Sequence, residues 1–268
     1  MQARAAGRSI MIDWSQWGGD QALLDGLVIL GWAYALLMGP LRPRFAPGEA
    51  WPRAAAIRFY SGLGLVYLTV GTPAARIGGL YLFSVHVCLQ LLILFPAAAL
   101  ILRGLPGWSV DAALRPRAVR LVANGLLRPW VCGAVFTLLV SVWYVPRLLE
   151  WAMGSPGGRA FELAMVLLSG LLFWWPLASP SRICPPMGFA SRMVYLFAIE
   201  VALTAVFAYI LMAEHPIYPT YSLAPRLVPG LDAENDQVLG GVLLAGVSSL
   251  VLVGSLGANF FRWAKASE

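Results

Sequence analysis

Apolar runs long enough to cross a bilayer alternate along this chain with short connections rich in arginine, glycine and proline. A spanning helix needs about 20 mostly apolar residues, and seven stretches qualify: 21–39, 58–74, 80–102, 128–148, 160–178, 193–213 and 238–262. The second is the shortest. It carries glycines and ends at Thr72-Pro73, features that lipid-embedded helices accommodate when neighbouring helices cover the backbone. The pattern predicts an all-α integral membrane protein with an N-terminal segment 1–20, one transmembrane domain over 21–263 built as a seven-helix bundle, and a short tail 264–268. No internal repeat is visible, and no connection has room for a separate soluble domain.

Composition removes the alternatives. Hydrophobic residues make up 59% of the 268 residues and charged residues 12%, about half of the roughly 25% usual for soluble domains. Mean hydropathy is +0.73. Such a chain cannot cover a water-facing surface with polar groups, so lipid is its medium. The formal charge of +6 does not point to nucleic acid, because the basic residues, all arginine except Lys265, are spread through the connections rather than gathered on one face. They read instead as topology signals. With the N-terminus outside, Arg4, Arg8, Arg76, Arg147, Arg159 and Arg226 lie outside, and the other thirteen of the 19 basic residues lie inside. That predicts N-out, C-in. The acidic residues Asp232, Glu234 and Asp236 then fall in the last outer loop.

Arg4 and Arg8 are followed by Asp13, Asp20 and Asp25, and the first apolar run is long enough to stay in the membrane. A retained first span is therefore expected, although Ala33-Tyr34-Ala35 loosely resembles a leader cleavage site. Cys88, Cys132 and Cys184 have neither CxxC spacing nor an even count, which excludes a zinc knuckle and a disulfide scaffold. No nucleophile–base pair, phosphate loop or nucleotide motif is present, so the chain is not expected to be an enzyme.

On this topology the polar and aromatic features converge on the outer face. His86 lies near the outer end of the third span, Trp143-Tyr144-Val145-Pro146 closes the fourth, and Glu162 opens the fifth. The segment His215 to Tyr221, with Tyr218 and Tyr221, leaves the sixth there, and Asp236-Gln237 opens the seventh. Glu200 stands apart, about seven residues or roughly 10 Å inside the sixth span from its inner end. An intramembrane carboxyl is costly and is a functional candidate by default. It reads either as a packing group hydrogen-bonded to a neighbouring helix or as a proton-relay or partner-contact group.

Several motifs in order resemble one family. Arg58-Phe59-Tyr60-Ser61-Gly62 followed by Gly71-Thr72-Pro73, then Phe83-Ser84-Val85-His86, Leu171-Leu172-Phe173-Trp174-Trp175-Pro176-Leu177, Tyr218-Pro219-Thr220-Tyr221 and Asp236-Gln237-Val238-Leu239-Gly240-Gly241 are similar to the CtaG-type cytochrome c oxidase assembly factors over roughly residues 25–263. That resemblance implies a seven-span protein of the bacterial plasma membrane that serves the respiratory chain by supplying copper to haem-copper oxidases. It also implies a histidine cluster at the outer face. Here the positions of His-Met-x-Gln-His are His86, Val87, Cys88, Leu89 and Gln90; that of the histidine closing span four is Tyr144; and those of His-x-x-Glu-His are Arg159, Ala160, Phe161, Glu162 and Leu163. Of five implied histidines only His86 is kept.

Two readings of His86 stay open: a buried imidazole bonded to a neighbouring helix, or a metal ligand for copper. Cys88 is about 200° around the helix from it, so a second ligand would have to come from Met153, Met165, Met212 or His215. Glu162 is expected to pair with Arg159 or to sit at the helix start, and Asp236 to cap its own helix. Trp174-Trp175-Pro176 is expected to pack and to anchor an interface. The leading expectation is a cytochrome c oxidase biogenesis protein that contacts an oxidase subunit or another assembly factor, with copper relay in doubt. The alternatives are a non-catalytic accessory subunit of a respiratory complex, and a small transporter using Glu200.

Overall fold

The computed structural model describes Trp17 and residues 21–47 and 52–266. Apart from Trp17, the predicted segment 1–20, with Arg4, Arg8, Asp13 and Asp20, lies outside the described residues, and so do the last two residues of the predicted tail. The described residues form helices and turns with no strand among them. In chain order the helices are α1 Gln21–Met38, α2 Arg42–Phe45, α3 Arg53–Val70, α4 Pro73–Leu80, α5 Phe83–Arg103, α6 Gly107–Ala113, α7 Arg117–Leu126, α8 Pro129–Trp143, α9 Pro146–Met153, α10 Pro156–Ala178, α11 Phe189–Leu211, α12 Pro219–Ser222 and α13 Ala233–Ala266.

Helices α1, α5, α10, α11 and α13 are each long and apolar enough to cross a membrane. The pairs α3–α4 and α7–α8 reach that standard only together, across bends of 54° and 69°, which gives five to seven candidate spans. The breaks follow from proline. It takes the first position of α4, α8, α9, α10 and α12, and the residue before it is extended, with ψ of 161°, 135°, 121°, 150° and 104°. A residue preceding proline is kept out of the helical region, while proline itself suits the first helical turn. The expected second span, 58–74, is therefore a helix from Arg53 that stops at Val70, with a separate helix starting at Pro73. The expected fourth span, 128–148, ends at Trp143, and Pro146 opens α9.

Helix α5 is the axis of the bundle. In its most apolar stretch 67% of residues are buried, against 11% for α1 at the periphery. Its larger side, carrying Phe83 and Val87, packs with Phe136 of α8, Phe173 of α10, Leu203 of α11 and Leu244 of α13. The other side, through Ala97 and Ile101, packs with Tyr34 of α1 and Phe59 and Leu63 of α3. The Tyr34 ring stacks on Phe59 at 3.9 Å and its hydroxyl donates to the Gly104 carbonyl at 2.8 Å.

Midway, α5 contains a widened turn over Ile93–Ala97 that includes Pro96, which has no N–H to donate. The Ala98 N–H reaches back five residues to Ile93 O, the spacing of a π-bulge. Two glycines let neighbours close on this turn. A Cβ at Gly62 would stand 3.0 Å from Ala97 O, and one at Gly170 would stand 2.5 Å from Leu94 O. Small residues of this kind allow close backbone approach between membrane helices. The Trp174 indole donates to Phe95 O at 2.9 Å, so this tryptophan supports the turn as well as packing against it.

Helix α7 has Arg117, Arg120 and Asn124 on one face and exposed Val119, Val122 and Leu126 on the other. The helix is therefore amphipathic, and it meets α8 at the 69° bend.

Candidate functional site

The first turn of a helix leaves backbone N–H groups without intrahelical partners. Leu82, which precedes α5, brings no capping side chain. The acceptor comes from α13. Asp236 takes the Phe83 N–H at 2.6 Å and the Ser84 N–H at 3.2 Å, and the Ser84 hydroxyl also donates to it. This corrects the expectation that Asp236 caps its own helix. Asp232 does that, accepting from the Asn235 N–H at 2.8 Å.

One turn into α5, His86 and Gln90 lie four residues apart on one face, and Glu162 of α10 meets both. Glu162 Oε1 accepts from Gln90 Nε2 at 2.6 Å. His86 Nε2 stands 3.2 Å from the same oxygen, within ion-pair distance, without a hydrogen bond to it. Gln90 Oε1 accepts from the Tyr144 hydroxyl at 2.8 Å, and the Tyr144 carbonyl accepts from the Tyr218 hydroxyl at 2.9 Å. Tyr218 stacks on Phe83 at 4.6 Å. Tyr221 donates to Gly78 O at 2.7 Å, which fastens α12 to α4. Gln237 Oε1 accepts from the Ile217 N–H at 2.7 Å. The structure therefore brings His86, Gln90, Tyr144, Glu162, Tyr218, Tyr221, Asp236 and Gln237 into one contiguous polar and aromatic cluster at one end of the bundle.

Burial, with Glu162, Asp236 and Glu150 nearby, holds the Tyr221 phenol well above its usual range. Burial also raises Tyr218, with a smaller contribution from Tyr209. Both stay hydrogen-bond donors at physiological pH. Replacing Tyr144 with phenylalanine leaves Gln90 Oε1 buried without its donor, and a loss of about 1–3 kcal/mol is expected, to be read as a lower thermal midpoint in detergent.

Glu162 does not pair with Arg159, whose Nη2 instead reaches Met153 O at 3.5 Å. Nor does it cap α10, because Ser155 does so by accepting from the Gly158 N–H at 3.0 Å. Sequence reading also missed Glu150, which accepts from the Thr220 N–H at 2.9 Å and the Thr220 hydroxyl at 2.6 Å and so ties α9 to α12. No local motif marks a pair 70 residues apart. Glu200 is remote from the cluster. Its Oε1 accepts from the Ser249 hydroxyl, joining α11 to α13, and its Oε2 is buried without a hydrogen-bond partner.

A half-open cavity of about 220 Å³ adjoins the cluster between α3, α4, α5 and α10. His86, Gln90 and Glu162 line it, along with Arg76, Arg159 and Met153. Among the described residues, no group of three or more His, Cys, Asp or Glu side chains is placed to hold a metal ion. Of the sulfur and histidine ligands considered for His86, only Met153 shares this cavity. Met165 packs against the core, Met212 is 80% exposed, and His215 is also exposed.

A family model described as cytochrome c oxidase caa3 assembly factor (Caa3_CtaG) matches residues 32–266. No curated protein and no solved structure matches the chain.

Proposed function

The chain belongs to the cytochrome c oxidase caa3 assembly factor family, and from that premise we propose that it serves oxidase biogenesis as a membrane-embedded docking scaffold rather than as a copper carrier. The observation that carries this reading is the closed chain Tyr144–Gln90–Glu162. At two positions where the resemblance implies histidines stand a phenol and an amide, and these are bonded to one another and to Glu162. Phenol and amide oxygens are poor ligands for Cu(I), which favours thiolate, thioether and imidazole. His86 and Met153 are the soft ligands at the cavity.

An end of the bundle tied together by side-chain hydrogen bonds between α5, α8, α10 and α13 suits recognition of a partner instead, either an oxidase subunit or another assembly factor. In this reading α3–α4 and α7–α8 each supply one span. The chain is then a seven-span protein of the bacterial plasma membrane, N-out and C-in, with the cluster on the outer side. The unequal division of basic residues supports that orientation. No catalytic step is assigned to the protein.

Capture from solubilised membranes tests the reading. The chain should co-purify with oxidase assembly intermediates and be missing from the mature oxidase. After loading with Cu(I) under reducing conditions it should hold far less than one copper per chain. A fixed stoichiometry in the mature oxidase would make it an accessory subunit. One tightly held copper per chain, lost in His86→Ala, would overturn the scaffold reading.

A further inference from the structure

The end of the bundle away from the cluster carries a second inference, which does not depend on the assembly role. We propose that Arg192 and Arg262 together bind the phosphodiester of an anionic membrane phospholipid. Helix α13 meets the cluster at Asp236 and is 34 residues long, about 50 Å at 1.5 Å per residue. The hydrocarbon layer is about 30 Å thick, so the last turns of α13 extend past it. They read Asn259-Phe260-Phe261-Arg262-Trp263, with all three aromatic rings exposed. Tryptophan and arginine at the end of an apolar span sit at head-group level.

Arg192, in the first turn of α11, is fixed in place at this level. Its Nε donates to Met187 O at 2.7 Å, its Nη1 donates to Asn259 Oδ1 at 3.3 Å, and its guanidinium lies 5.3 Å from the centre of the Phe189 ring. Arg262 follows Asn259 by three residues and so rises from the same face of α13. It stands near enough to Arg192 for the two charges to repel. Among the described residues no carboxylate pairs with either arginine. Asp111 is engaged by the Ser181 hydroxyl and the Arg182 and Ile183 N–H groups, and Glu200, two turns further along α11, by the Ser249 hydroxyl. Two cations side by side at head-group level, with no counter-charge, call for an anion that both can reach. A phosphodiester with no cation of its own fits, whereas the ammonium of a zwitterionic lipid would find no free carboxylate here. The exposed rings of Phe260 and Phe261 suit the first methylenes of the acyl chains and do nothing for a free ion. Basic sites between transmembrane helices bind lipid head groups in this way.

The test uses the full chain, purified in mild detergent and delipidated, then titrated with phosphatidylglycerol, phosphatidylcholine or inorganic phosphate. Native mass spectrometry counts the adducts and the thermal midpoint reports stabilisation. Phosphatidylglycerol should bind once per chain and raise the midpoint, while phosphatidylcholine should bind more weakly. Arg192→Gln and Arg262→Gln should each weaken phosphatidylglycerol binding about fivefold, the effect of one arginine beside an anionic lipid. Arg147→Gln, exposed on α9 near the cluster, should not. Equal affinity for the two lipids, or wild-type binding in both arginine variants, would overturn the proposal. Saturation by inorganic phosphate with exclusion of lipid would do so as well. So would a loss of co-purifying protein in Arg262→Gln with lipid binding unchanged, which would assign the pair to an acidic protein partner. Should Arg192→Gln fail to fold, Arg262→Gln and the lipid preference of the wild-type chain still decide the matter.

Discussion

Asp236→Ala lowers the stability of the bundle by about 3–5 kcal/mol, the largest expected effect of any single polar substitution in the cluster. The figure comes from the groups left behind. The Phe83 N–H, the Ser84 N–H and the Ser84 hydroxyl all donate to this one carboxylate inside the protein. Each buried donor without an acceptor costs about 1–3 kcal/mol, offset in part where the site relaxes or admits water. Loss of a negative charge at a helix N-terminus adds to this. Asp236→Asn keeps one acceptor oxygen and should lose about half as much. Thermal midpoints in detergent give the ranking, and hydrogen exchange at the amides of residues 83–86 locates the damage. A midpoint for Asp236→Ala equal to that of the wild type would show that the cap carries no weight.

Gly170→Leu should be as damaging, for the opposite reason. A Cβ at this position would lie 2.5 Å from Leu94 O and 2.8 Å from the Ala98 Cβ. Both neighbours belong to the core-facing turn of α5, so neither can swing away. Even Gly170→Ala pushes α10 off α5, at an overpacking cost of about 1–3 kcal/mol. Leucine should separate the helices, break the Trp174–Phe95 bond and shift Glu162 on the same helix away from Gln90. Gly246→Ala in α13 is the control. Nothing lies within 4 Å of its added methyl, and alanine is the better helix former by about 1 kcal/mol. If both glycine-to-alanine changes behave alike, close packing at Gly170 is not what holds these helices together.

The helices were legible in the sequence wherever a physical rule acts locally. Apolar runs mark α1, α5, α10, α11 and α13, whereas the X-Pro pairs at 72–73 and 145–146, read from the sequence as ends of spans, are where α4 and α9 begin. The bends were not read, because hydropathy averaged over some 20 residues passes smoothly across Gly71-Thr72-Pro73 and across Arg128-Pro129. Residues of the cluster could be named because each stands near a span end on the same side. Their bonds could not. Nothing near Glu162 shows that it faces Gln90 rather than Arg159, since on an isolated helix the partner three residues away is the natural choice. Only packing of α10 against α5 turns the carboxyl inward. The same holds for Glu150 and Thr220, which the folded connections bring together.

The cap on α5 also sets an order of events during synthesis. Its donor at Phe83 leaves the ribosome 153 residues ahead of the carboxylate that accepts it. At about 5–20 residues per second, the gap is roughly 8–30 s. For that interval the central helix is in place with its first turn unsatisfied, and arrival of the final helix completes it. A product terminated before Asp232 keeps an uncapped helix end in the middle of the bundle, which distinguishes an unfinished chain from a finished one.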